Sequence, residues 1–278
     1  AVRHKESFRH LINKQDYDGA LEILREWSKH VDDEDDQTMD RLLLLAGAFA
    51  DWDNFRYESA SEKLTKYVKA GSPLQEFITY KTVSEHLQLA KQMLLDGGWQ
   101  QFDDKKMAKG PLLVYDLLRN AERKAKAHRY DDAVARLYRA EEMYAQFALL
   151  RIGIFTSDVN IDKLASLPKE RLEHYEKRRN EKGIIQIGLQ DSYDLLADLG
   201  HPIGEVWQKY RPKLLNLLSI RNYSFLAHGV NPVPHKDYNE YHDTLWDFIR
   251  ECDDADPILR KFNTKLDNYS DLPKRLPE

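Results

Sequence analysis

An arginine and a histidine, Arg221 and His228, stand seven residues apart in the segment PKLLNLLSIRNYSFLAHGVNPVP at 212–234. On a helix, seven residues turn the chain through about 700°, so the two side chains project nearly the same way, two turns apart. Leu214, Leu217, Leu218 and Phe225 form an apolar stripe on such a helix, and the arginine and histidine fall within it. A guanidinium in an apolar stripe is costly unless it is paired or opens onto a cleft. Asn222 adds a polar group beside it, and Gly229 is placed to stop the helix and leave His228 at a rim. This trio suits RNA cleavage without a metal. An imidazole can move a proton on or off a 2′-hydroxyl or a leaving 5′-oxygen. A guanidinium can fork onto phosphate oxygens and hold charge in the transition state, and the amide can orient either partner. In-line attack by the 2′-hydroxyl leaves a cyclic phosphate and a free 5′-hydroxyl, and DNA resists. The competing structural role for the pair is a buried arginine–carboxylate bridge with a capping histidine.

The elements that must position these groups read as helices. Apolar spacing of period 3.6 predicts helices near 2–13, 16–30, 37–51, 55–70, 73–95, 110–128, 130–152, 168–180, 189–199, 203–209, 212–228, 236–252 and 256–267. No stretch shows the sustained alternation of a half-buried strand, so the fold class is all-α. Pro111 and Pro212 stand where a first-turn proline costs no hydrogen bond. The segment 96–110, DGGWQQFDDKKMAKG, loses the apolar period and carries paired glycines, which places a division there. The expected organisation is a helical region over 1–108 and a helical domain over 109–278. Tyr17-Asp-Gly-Ala20, Tyr57-Glu-Ser-Ala60 and Tyr130-Asp-Asp-Ala133 each open a helix with an aromatic three residues before an alanine. Their unequal spacing argues against a regular solenoid, and an aromatic staple at a helix start is the simpler reading.

Composition limits the alternatives. The net charge of −5 over 278 residues, with 42% hydrophobic and 32% charged residues, describes a globular chain rather than a polycation, so any nucleic-acid contact is local. The longest apolar run, Leu42–Ala50, is far short of the roughly 20 residues that cross a bilayer. The single cysteine, Cys252, removes disulfide frameworks and thiolate zinc clusters, and a cytoplasmic protein fits best. Walker, GxSxG, HExxH and GxGxxG patterns are absent, and no cofactor or metal is expected. The acidic run 32–36 reads as a solvated turn, and His235 with His242 lacks a companion set for a metal. The basic run at 122–129, ERKAKAHR, reads as a solvated helix end. Asp131 and Asp132 read as partners of a helix dipole, with one of them a candidate partner for Arg221.

Arg221-Asn222-x5-His228-Gly229 resembles the R-x(4–6)-H signature of HEPN ribonucleases, including the polar residue that often follows the arginine. The longer string LLSIRNYSFLAHGVNPV is similar to the HEPN domain of CRISPR-associated CARF–HEPN proteins of type III systems. The stretches beginning at Tyr130 and at 192–200, SYDLLADLG, are similar to other helices of that group. The resemblance is good over about 110–250 and thin over 1–108. Three further arginine–histidine pairs match the bare signature: Arg3/His10, Arg25/His30 and Arg123/His128. They sit among charged residues with solvent-facing alternatives, so chance explains them. The resemblance implies a HEPN-type helical bundle and an endoribonuclease acting on single-stranded RNA. Arg221, Asn222 and His228 would be its site residues, in a composite cleft between two copies of the chain. It also implies a role in CRISPR-linked antiviral defence, and activation by cyclic oligoadenylate through an amino-terminal sensor domain. With no strand-rich segment and a start at Ala1, this sequence reads as a carboxy-terminal fragment, 1–108 being its link to that sensor. The alternative function is a catalytically inactive helical dimerisation or interaction module.

Overall fold

A computed structural model of the chain describes residues 2–30, 36–71, 73–95, 102–222 and 230–277. Among the described residues there are helices and no strand, as the apolar spacing requires. Two compact units form, one from residues 1–89 with 270–278 and one from 90–269.

The first unit is built from α1 (Val2–Asn13), α2 (Tyr17–Ser28), α3 (Asp36–Asp53), α4 (Tyr57–Lys69) and the larger part of α5 (Gln75–Leu95). Successive helices pack as hairpins, α1 on α2, α2 on α3 and α3 on α4. Phe49 sits at the centre, its ring 5.2 Å from Tyr80, 5.8 Å from Tyr17 and 6.2 Å from Phe77. The closing segment of the chain completes this core with Leu272 and Leu276. Gln15 donates to the Leu272 carbonyl at 2.8 Å, and the Tyr17 hydroxyl donates to the Pro273 carbonyl at 2.6 Å.

The Tyr-x-x-Ala echo has a common structural origin. Tyr17, Tyr57 and Tyr130 are each the first residue of a helix, with α8 spanning Tyr130–Arg151. Two residues before each tyrosine the backbone turns left-handed, at Gln15 (φ 59°), Phe55 (φ 61°) and His128 (φ 59°). The next amide then reaches back to close the preceding helix: Asp16 to Leu11, Arg56 to Asp51 and Arg129 to Lys124, at 2.8–2.9 Å. The alanine three residues into each helix is fully buried. The echo thus marks one type of tight helical hairpin, used three times.

The second unit surrounds α8, which packs against α7 (Leu112–Lys126), α10 (Leu189–Asp198), α11 (Pro202–Asn222) and α12 (His235–Ala255). Short helices α6 (Asp104–Met107), α9 (Lys169–Glu176) and α13 (Pro257–Lys261) complete it. The Trp207 ring stacks on Tyr193 at 4.7 Å, and its indole N–H donates to Asp194 at 2.8 Å. Gly204 lets α11 press against α10: a Cβ there would lie 2.3 Å from the Ala197 Cα.

Three expectations are corrected. The helices expected at 203–209 and 212 onward are one continuous α11, with Pro212 in its interior. An interior proline removes one amide hydrogen bond and crowds the carbonyl four residues back, and the buried Trp207, Leu214 and Leu217 on either side anchor the helix through it. The helix expected at 256–267 ends at Lys261, because Asn263 takes a left-handed backbone (φ 50°). The basic run 122–129 is not wholly solvated: Arg123 is buried, on the side of α7 that also buries Asp116 and Asn120. The acidic residues 32–35, part of the expected break at 96–110 and the end of the 212–228 helix lie outside the described residues.

Candidate active site

The last turns of α11 carry the chemistry-bearing residues. Leu214 and Leu217 are buried, and Arg221 continues their row at the helix end, half-buried. Its guanidinium carbon lies 4.7 Å from the centre of the Tyr138 ring on α8. An aromatic face attracts a cation and offers a flat apolar bed, which is how this charge is accommodated on an otherwise apolar stripe. Burial, followed by the nearby Glu142 carboxylate, pushes the Tyr138 hydroxyl above its ordinary value, so it stays neutral. Asn222, the exposed final residue of α11, accepts a hydrogen bond from Arg221 Nη1 at 3.3 Å. His228 and Gly229 lie outside the described residues. Of the carboxylates at the start of α8, Asp131 accepts from the Val233 amide at 3.1 Å, and Asp132 pairs with Arg129 and Arg136.

Asn222 and Tyr138 line an open groove of about 460 Å³, with Arg171, His174, Arg178 and Arg211 among its other walls. Arg171 and His174 lie on α9 and Arg178 just beyond its end, at one-face spacing. Arg211, Leu218 and Asn222 share a face of α11 in the same way. Carboxylates stand beside the arginines, and Asp191 and Asp194 themselves line the groove. Arg171 Nε lies 2.7 Å from Asp198, Arg178 Nε 2.8 Å from Asp191, and Arg211 Nε 3.3 Å from Asp194. His174 Nε2 is 3.0 Å from Asp191. This groove was not foreseen from sequence, although the i, i+3, i+7 spacing of Arg171, His174 and Arg178 was there to be read.

The bundle also holds buried acids. Glu141 is fully buried and accepts the Tyr241 hydroxyl at 2.6 Å, while its other oxygen has no hydrogen-bond partner among the described residues. Burial pushes its carboxyl up to about 8, and the tyrosine bond offsets only part of that. Asp253 receives Tyr115, Tyr144 and the Leu266 amide, and burial pushes it up to about 7. Arg151 and Asp256 form a buried ion pair. Among the described residues no group of three or more His, Cys, Asp or Glu side chains is arranged to hold a metal ion. No described helix is long and apolar enough to cross a membrane.

The arrangement can place a permanent positive charge and an amide at the end of an arginine-lined groove. Residues 103–251 match the family model of the Csm6 HEPN domain, and residues 1–94 match that of the Csm6 6H domain. No curated protein matches the chain. The HEPN match alone covers more than half of the 278 residues, and the helical bundle around α8 and α11 agrees with it: the chain belongs to the Csm6 family of CRISPR-associated HEPN nucleases.

Proposed function

We propose that this protein is a metal-independent endoribonuclease that cuts single-stranded RNA, with Arg221, Asn222 and His228 as its site residues. The observation that carries the reading is the station of Arg221. The guanidinium lies on the Tyr138 ring at the end of α11, beside an exposed amide that opens onto an arginine-lined groove. In the reaction, the 2′-hydroxyl gives up its proton to a base and its oxygen bonds to phosphorus, while the bond from phosphorus to the 5′-oxygen breaks and that oxygen takes up a proton. His228 moves the proton at one of these oxygens. Arg221 holds the charge that gathers on the non-bridging oxygens. Asn222 orients the guanidinium. Two copies of the chain bring their α11 ends together, so that one cleft carries two sets of these residues. The biological setting of the activity is CRISPR-linked antiviral defence.

The test is cleavage of a labelled single-stranded RNA in excess EDTA, beside the same strand made with 2′-deoxy sugars. The reading expects the RNA to be cut to 2′,3′-cyclic phosphate and 5′-hydroxyl ends, and the deoxy strand to remain whole. Cutting that EDTA abolishes, or cutting of the deoxy strand, contradicts it.

A further inference from the structure

We propose that the groove between α9, the start of α10 and α11 is the track that holds the RNA strand leading to the cut, with Arg178, Arg211 and Arg171 as its phosphate ligands. The proposal deepens the ribonuclease reading and rests on it. From Arg211 to Asn222, α11 runs about 16 Å at 1.5 Å per residue. Arg211, Leu218 and Asn222 face the groove along that length, and Asn222 adjoins Arg221. A ligand lying along this face is elongated and ends at the proposed cleavage site.

The three arginines are mounted alike. Each turns its Nε and Nη2 toward one carboxylate, Asp198 for Arg171, Asp191 for Arg178 and Asp194 for Arg211. Nη1 takes no part in any of the three pairs. A guanidinium has five N–H donors in a rigid fork, so an anchor on one edge leaves the other edge aimed and ready for an anion.

Holding the fold together does not account for these pairs. Their arginine side chains are 32–49% exposed, and pairs this open to water add little stability. Each carboxylate, moreover, has a second donor from the fold: Tyr175 for Asp198, His174 for Asp191 and Trp207 for Asp194. Each acid keeps a second contact when its arginine is removed, and the pairs fix where the guanidiniums point. Such preorganisation lowers the cost of binding a strand. Tyr138 adds a ring at the same end of the groove.

The experiment measures binding apart from cutting. A fluorescent single-stranded RNA of about 12 nucleotides, fully 2′-O-methylated so that it cannot react, is titrated with the full chain by anisotropy between about 50 and 200 mM salt. The double variant Arg178→Gln/Arg211→Gln should bind about tenfold more weakly or worse. Its salt slope should be shallower by about 1.4, since a single strand loses about 0.7 per phosphate contact. Arg178→Gln alone, at the most exposed of the three positions, should lose about half of that slope and keeps the test open if the double variant unfolds. Equal affinity and slope in parent and variants, or no RNA binding by the parent, overturns the track. A parent that binds through these arginines but cuts no RNA leaves the track standing and contradicts the catalytic reading. A parent that cuts RNA, with variants of unchanged KM and salt dependence, does the reverse.

Discussion

Arg221 and Tyr138 come from different helices, 83 positions apart in the chain, and meet with the guanidinium 4.7 Å above the ring. The ring gives the cation a fixed plane against which to rest, and the helix end gives it a fixed height. Together they hold a charge that a flexible side chain would otherwise scatter through solvent.

If the ring positions the guanidinium, the face of the aromatic matters and its hydroxyl does not. Tyr138→Phe should keep kcat on RNA within about twofold. Tyr138→Leu should lower it by roughly three- to tenfold, the equivalent of a cation–π contact of about 1 kcal/mol. KM should move less than kcat, because Tyr138 acts through Arg221. Steady-state kinetics on a short RNA checks this, and equal kcat for Leu and Phe would remove the positioning role.

Glu141 makes stability fall as pH rises. Its carboxyl is pushed up to about 8 in the fold, whereas an unfolded glutamate titrates near 4.3. Between those values the folded state holds a proton that the unfolded state releases, so this group costs about 1.4 kcal/mol of stability per pH unit through that window. Asp253, pushed up to about 7, acts in the same sense at its lower end. Urea unfolding at pH 5 and pH 8 should show the parent weaker at pH 8. Glu141→Gln, which cannot ionise, should reduce that difference to the part Asp253 supplies.

Gly204 should tolerate no side chain. The clash its Cβ would make is with the Ala197 backbone, which cannot swing aside as a side chain can. Gly204→Ala should therefore cost about 3 kcal/mol or more, lowering the melting temperature by roughly 6–12 °C. A shift below about 2 °C in a thermal melt would show that the α10–α11 corner relaxes freely.

The helices were legible because their burial is written locally. Leu113, Val114, Leu117, Leu118 and Ala121 give α7 its inner face, and that pattern needs no knowledge of what it packs against. The hairpin turns were half legible. Tyr-x-x-Ala announced each start, but the left-handed residues Gln15, Phe55 and His128 carry no glycine to mark them. Pro212 misled, since a proline mid-chain reads as a boundary unless the packing on both sides is known. The closing segment, with Pro273 and Pro277, has no periodicity, yet Gln15 and Tyr17 bind its carbonyls. At the site, Arg221 and Asn222 stood out as charge and amide beside an apolar row. Tyr138, Arg171, His174, Arg178 and Arg211 did not, because their relation to that row is made by helix packing and by the path of the connection 152–188, which carries α9.

The central claim concerns one guanidinium and one imidazole, and kinetics on two variants tests it most directly. Single-stranded RNA is incubated with the parent, Arg221→Ala and His228→Ala in excess EDTA, each protein first shown by thermal melting to be folded. The account predicts that each variant loses at least about a hundredfold in kcat, as expected when a proton-transfer group or a charge-stabilising group is removed. Two folded variants that cut as fast as the parent would contradict it.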